Sequence, residues 1–404
     1  MIRPLLALLA LLLAAPLSAQ PGDAPAEPPV TILISIDGFR PDYLDRGITP
    51  NLAALRADGL FAPMRPSFPT KTFPNHYTIV TGLRPDRHGI TGNAMIDPAR
   101  PGEMFTLGDP MQSLDAFWWD EAEPIWVTAE RAGIRTATMF WPGSEVAIHE
   151  VRPQDWMRFD QHVSNVQRVN VVLDWMRRPA EIRPLFVTLY FDTVDTAGHR
   201  YGVAAPETDA AIAEIDTRIG ELVDGLAALG RTANIVIVSD HGMEDVDAAR
   251  VIQLDDFIDA ASYILVESGP YAAIEPVTGT DDRVADALLV PHDHMDCRRR
   301  ENLPAPLEFG ANPRVAAIVC IAEPGWVIIQ GEPRWPVEGA AHGWDNTDPQ
   351  MRATFLATGP AFTGGGAPEE IDNIDVYPLL ARLVGVAPLP NQGDPAVAAE
   401  LLGE

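Results

Sequence analysis

Asp37, Thr72, Asp195, His199, Asp240, His241 and His342 are spread over some three hundred positions, yet they supply three carboxylates, three imidazoles and one alcohol. That donor set suits two zinc ions, each keeping a coordination position open for a substrate. Every one of these residues is expected at the end of a strand or in the loop after it. Taken singly they are unremarkable: an Asp after a strand is usually a turn or cap residue, and His199 could be a solvated loop histidine. The set as a whole is what points to a metal site with a nucleophile.

The elements that must position these residues are legible nearby. The run 30–36, VTILISI, is apolar and rich in β-branched residues, which reads as a buried parallel strand ending at Asp37. The run 185–191 is a second strand, ahead of Asp195 and His199, and 234–238 is a third, ending in Ser239-Asp240-His241-Gly242. Open α/β folds place ligands at this carboxyl edge. Adjacent residues such as Asp240 and His241 tend to point apart, so Gly242 is expected to let the loop bend. His342 lies in a late glycine-flanked loop, 339–346.

Thr72 falls in PSFPTKTFPNHY, residues 66–77. It is expected to be an N-cap, with Pro74 in the first turn and Gly82 closing the helix. A helix N-terminus favours an anion. A threonine hydroxyl is a poor nucleophile at neutral pH and needs activation, for which a divalent metal serves.

The motifs Asp37-Gly-Phe-Arg40, Pro69-Thr-Lys-Thr-Phe-Pro-Asn-His76, Asp195-x-x-Gly-His199, Ser239-Asp-His-Gly-Met243 and His342-Gly-Trp-Asp-Asn346 resemble those of the nucleotide pyrophosphatase/phosphodiesterase family, in the alkaline phosphatase superfamily. They occur in the family's order, and the resemblance covers roughly residues 30–395.

The resemblance implies a two-zinc site, with Asp195, His199 and His342 on one ion and Asp37, Asp240, His241 and the Thr72 oxygen on the other. It implies that Asn93 donates to a non-bridging phosphate oxygen beside the Thr72 amide. Phe73 and Phe159 would stack on a nucleobase, although a first-turn aromatic such as Phe73 is ordinarily core or helix staple. One ion would activate Thr72 and the other would stabilise the leaving oxygen. A covalent threonine-phosphate would form and then be hydrolysed. Two zincs against three aspartates leave the site formally at about +1 before Thr72 ionises. Hence a chain of net charge −28 can still take a small phosphodiester or nucleotide. The same charge argues against long nucleic acid, because no basic face is available for counterion release.

Rival readings remain within the superfamily. A phosphomonoesterase usually adds a guanidinium for the extra charge, and no arginine motif near Thr72 does this. A choline-lipid phosphodiesterase would need an aromatic or acidic cage. A sulfatase would need a cysteine or serine where Thr72 stands. A non-catalytic, metal-stabilised binding protein is the reading from a different class. His292-Asp-His294 reads as a polar loop, and His76 and His88 as supports of the nucleophile segment. Lys71 is the only lysine in the chain; compositional bias explains it, with a phosphate-facing role as the alternative.

The 404 residues are 47% hydrophobic, which supports a large core. Alternating strand and helix patterns predict an α/β fold, with a mainly parallel central sheet, helices on both faces and a single catalytic domain over 30–404. Helices are expected over 50–58 with Thr49 as N-cap, 123–132, 163–177 and 207–229, and a strand over 135–140. In the last helix, Ile212, Ile215, Ile219, Leu222, Val223 and Leu226 form a packing stripe. Residues 260–340 look less regular and predict a small β-rich subdomain. Residues 1–19 read as a signal peptide and 20–29 as a flexible leader, so the protein is expected to be exported, to a bacterial periplasm or secreted, without stable membrane insertion. Cys297 and Cys320, the only cysteines, form either one disulfide or two buried thiols.

Overall fold

A computed structural model describes residues 27–333 and 336–404. The segments read as signal peptide and most of the leader lie outside these residues. Eight strands form the central sheet in the order Ile371–Asp372, Leu60–Arg65, Ala353–Thr358, Ala233–Val238, Val30–Ile36, Phe186–Phe191, Thr136–Met139, Asp155–Trp156. Pairing is parallel except along Ala353–Thr358, which runs antiparallel to both neighbours.

The central strand Val30–Ile36 is buried along its whole length because it feeds two cores. Ile32, Ile34 and Ile36 face one layer, packed with helices Asn165–Met176 and Pro206–Ala228. Leu33 faces the other, with helices Thr72–Thr81, Ile125–Arg131 and Val376–Val384. In the long helix the expected stripe is the buried one: Ile212, Ile215, Ile219 and Leu222 are fully covered, each contributing about 1.5–3 kcal/mol by removal from water. Val223 packs at its margin.

Two caps depart from expectation. Thr49 stands at the N-cap of Pro50–Asp58 but makes no side-chain cap bond. Buried Asp216 replaces it from the long helix, accepting from the Asn51 and Leu52 N–H groups at 3.2 and 2.7 Å. The helix Thr72–Thr81 is capped at Lys71, so Thr72 is its first helical residue and its hydroxyl is not spent on the helix end. Gly82 closes that helix in the left-handed conformation, its N–H donating to Thr78 O.

The irregular region holds a four-stranded antiparallel sheet in the order Tyr263–Glu267, Tyr271–Pro276, Ile318–Ala322, Met295–Arg299. Cys297 and Cys320 lie directly opposite in it and are joined as a disulfide. Among the described residues, no helix is long and apolar enough to cross a membrane.

Candidate active site

The carboxyl edge of the central sheet gathers all seven predicted residues. Asp37 follows the Val30–Ile36 strand, and Asp240 and His241 follow Ala233–Val238. Asp195 and His199 are not in a loop, as expected, but on the helix Thr193–Tyr201. Their i, i+4 spacing sets both side chains on one helical face, 3.4 Å apart. His342 follows the short strand Ala340–Ala341.

Asp240 and His241 converge despite being neighbours, with carboxylate and ring 3.0 Å apart. Gly242 serves this by size: a Cβ there would lie 2.0 Å from Gln350 O. His241 Nε2 is 3.4 Å from both Asp37 Oδ1 and Thr72 Oγ1. Asp195 Oδ1 lies 3.4 Å from His199 Nε2 and 3.8 Å from His342 Nε2. The two groups adjoin through the stacked rings of His241 and His342, 3.5 Å between centroids.

Hydrogen bonding has prepared these side chains as ligands. His199, His241 and His342 each direct Nδ1 at a backbone carbonyl, of Ala340, Gly242 and Thr70, at 2.8, 2.9 and 2.8 Å. A donating Nδ1–H leaves Nε2 as the lone-pair face, turned toward the aspartates. Conversely, Asp37 Oδ1, Asp195 Oδ1 and Asp240 Oδ2 are buried and have no hydrogen-bond partner. The remaining Asp37 oxygen accepts from Tyr190 Oη at 2.6 Å, and Asp240 Oδ1 accepts from Gly38 N–H at 3.2 Å. Three orphaned carboxylate oxygens facing three lone-pair nitrogens fit cations and fit little else. By mutual distance, Asp195, His241 and His342 form one potential metal group, and Asp37, His76 and Asp240 another. His76 is already engaged at both nitrogens, by Ser35 Oγ and Thr72 O at 2.8 Å each, as expected of a support.

Electrostatics carries the same signature. Burial, with the Asp240 and Asp195 charges beside it, pushes Asp37 well above the ordinary carboxylate range. Burial also raises Asp195. Burial acts to raise Asp240, but His241 and His76 overcome it and hold Asp240 low. Burial, with His241, Lys71 and His199 nearby, pushes His342 well below its usual value, which keeps its ring neutral. The protein alone thus crowds more carboxylate here than it neutralises, and cations held by these residues would reverse that field.

Asp37, Thr72, Asp195, His199 and His342 floor one end of a cavity of about 440 Å³, while Asp240 and His241 are buried beside them. Asn93 lines it, its Oδ1 accepting from Phe73 N–H at 2.9 Å, so the amide Nδ2 is the group left to donate. Phe73 and Phe159 both line the same cavity. Phe73 is half-buried against Phe105 and Trp119, whereas Phe159 is 43% exposed and meets Phe140 and Tyr190 edge-on.

Several lining residues escaped the sequence reading: Tyr190, and the wall of Phe140, Trp141, Glu145 and Arg158. The segment Phe140-Trp-Pro-Gly143, which begins at the last residue of the predicted strand 135–140, is the available signal. Phe140 holds a left-handed φ of 67°, which costs an aromatic residue about 1–3 kcal/mol. Thr188 Oγ1 donates to its carbonyl at 3.0 Å, and the Arg168 guanidinium lies 5.1 Å from its ring. The pair His292 and His294 plays no part: His294 stacks on Trp326 and pairs with Glu323.

A sequence model of type I phosphodiesterase / nucleotide pyrophosphatase matches residues 31–345. The bis(5'-adenosyl)-triphosphatase enpp4 of Xenopus laevis is 38% identical over 372 residues, covering 90% of this chain and 80% of that one. Human ectonucleotide pyrophosphatase/phosphodiesterase family member 5 is 37% identical over 365 residues, covering 90% and 76%. Among solved structures, murine ectonucleotide pyrophosphatase/phosphodiesterase 5, in an inactive threonine-to-alanine form in complex with AMP, superposes with a TM-score of 0.88 at 34% identity, over 93% of this chain and all of that one. The chain therefore belongs to the type I phosphodiesterase / nucleotide pyrophosphatase family, within the alkaline phosphatase superfamily, and is a phosphoric diester hydrolase of that metal-dependent class.

Proposed function

We propose that this chain hydrolyses phosphodiester and pyrophosphate bonds of nucleotides through a covalent threonine-phosphate on Thr72, with two zinc ions as cofactors. The observation that carries the reading is one cavity with two unlike ends. At one, three orphaned carboxylate oxygens face three imidazole Nε2 atoms, and His241 Nε2 lies 3.4 Å from the Thr72 hydroxyl; at the other stand aromatic rings. Asp195, His199 and His342 would hold one ion, and Asp37, Asp240, His241 and Thr72 the other. When bound, the ions supply a lowered hydroxyl pKa and charge neutralisation at the leaving oxygen.

The residues do the rest. Thr72 Oγ1 attacks phosphorus, forming a P–O bond as the bond to the leaving alcohol or phosphate breaks. Water then cleaves the threonine ester and returns the hydroxyl. Asn93 Nδ2 and the Thr72 N–H, at the helix N-terminus, donate to the non-bridging oxygens as charge grows there. Phe73 and Phe159 hold the base between their faces. A solved relative described as inactive after one threonine-to-alanine change, and as an AMP complex, supports both assignments.

The lining disfavours a phosphomonoester, because Arg158 is its one arginine and stands beside Phe159, at the aromatic end. Glu145 on the same wall keeps a choline-bearing diester as the competing substrate. We assign catalysis to residues 30–404 as a single domain, since the family match runs through both the central and the small sheet. Export of the protein rests on the apolar N-terminal segment, and relatives named as ectonucleotide enzymes agree with it. Periplasmic placement rests on signal style alone; the similar relatives from vertebrates and fission yeast lend it no support.

The test is zinc-loaded hydrolysis of a nitrophenyl nucleotide diester, nitrophenyl phosphate and nitrophenyl phosphocholine, side by side. The nucleotide diester should be turned over fastest. Preference for the monoester, or for the choline ester, would replace the substrate assignment and leave the Thr72 chemistry standing.

A further inference from the structure

The chain's only lysine does not face the cavity. Lys71, the residue before Thr72, is buried and turns its ammonium to Glu267 of the small sheet, 3.9 Å away. Both side chains are nearly covered, 9% and 11% exposed. Burial acts to lower the lysine and raise the glutamate, and each charge opposes the effect on the other. An apolar pair of similar volume usually serves stability as well as a buried ion pair, so its use here needs another reason.

Its placement supplies one. Glu267 Oε2 accepts from Ala94 N–H at 2.8 Å, and the neighbouring Asn93 N–H also favours the charge of that carboxylate. Gly92 lets the loop press this close: a Cβ there would meet Ala94 O at 2.5 Å, Tyr271 Oη at 3.0 Å and Glu267 Oε2 at 3.1 Å. The lysine stem lies against Gly343, where a Cβ would meet Lys71 Cε at 2.8 Å, beside His342. Pairing of the Tyr263–Glu267 strand slips between Leu265 and Glu267, an irregularity of the kind that re-aims a side chain. One ion pair therefore ties together the residue before the nucleophile, the Asn93 loop and the loop after His342.

We propose that Lys71 and Glu267 are positioning residues, which set the Asn93 amide against the nucleophile helix so that it meets the non-bridging phosphate oxygen. The small sheet, on this account, is part of the catalytic apparatus. The proposal rests on the role given to Asn93 above.

A double-mutant cycle separates the two claims. kcat and KM for the nitrophenyl nucleotide diester are measured on the full chain carrying Asn93→Ala, Glu267→Ala, or both, with zinc content and Tm alongside. Asn93→Ala should lower kcat on the order of 10²-fold. Glu267→Ala should lower kcat by about 10–100-fold with KM and zinc content little changed, as a displaced donor does. In the Asn93→Ala background, Glu267→Ala should cost less than about 3-fold, because the group it positions is gone. Equal losses in both backgrounds would overturn the positioning role while leaving Asn93 its function. No loss on Asn93→Ala would instead sink the Asn93 assignment. If Glu267→Ala does not fold, Glu267→Gln, which keeps an acceptor for Ala94 N–H but not the charge, carries the same cycle.

Discussion

The two ends of the cavity are held in different ways. At the polar end Asp240 and His241 are fully buried, and all three imidazoles, the exposed His199 included, are pinned by a backbone carbonyl. At the aromatic end Phe159 is 43% exposed, and its neighbours reach it edge-on without a hydrogen bond between side chains. Reaction requires atoms placed within a few tenths of an ångström, and hydrogen bonds to the backbone hold side chains that closely. Recognition of a flat base requires apolar faces and tolerates adjustment. Tyr190 belongs to both ends: its hydroxyl holds Asp37 while its ring meets Phe159.

That contrast can be broken at graded points. The largest effect belongs to Thr72→Ala, which should cut turnover of every phosphodiester by at least about 10⁴-fold, with zinc content and fold retained. Radiolabelled phosphate trapped on the protein at acid pH should vanish with it. Near-normal rates in this variant would remove the covalent mechanism.

Next comes Tyr190→Phe, which frees one Asp37 oxygen without touching the ring. Zinc affinity, read by titration of the metal-free protein against a chelator, should fall about 10–100-fold, as it does when a ligand's outer partner is lost. Unchanged affinity would show that Asp37 is held well enough by the backbone.

The smallest effects are expected at the aromatic end. Phe73→Ala and Phe159→Ala should each weaken kcat/KM for a nucleotide diester by about 10-fold, within the range for one lost stacking face. Loss on a small aryl phosphodiester should be slight. Equal losses on both substrates would mean that the rings shape the cavity and do not read the base.

The polar end is largely legible in the chain, whereas at the aromatic end only Phe73 and Phe159 are, through the family resemblance. Asp37, Asp240 and His241 stand directly after apolar runs, and a strand's end dictates where such residues emerge. Thr72 was found at the right helix with the wrong local role, since capping depends on one residue's φ and ψ. The sequence suggests a loop for Asp195 and His199 because the nine-residue helix Thr193–Tyr201 is too short to carry a clear periodic signal. Phe140, Glu145 and Arg158 were invisible as a group: a cavity wall is defined by what faces it, and nothing along the chain records that.

The order of strands and helices, and the types of the candidate ligand and nucleophile residues, were determined by the sequence itself, through hydrophobic period and local chemistry. Only the tertiary structure decided how those pieces meet. It turned Nε2 of each histidine inward by giving Nδ1 a carbonyl contributed by backbone packing. It capped the Pro50–Asp58 helix with Asp216, well over a hundred positions away. It brought Glu267 from the small sheet to Lys71 and the Asn93 loop. All of these but the bond between His241 and its neighbour Gly242 are long-range contacts, and their energies depend on distances that no local propensity encodes.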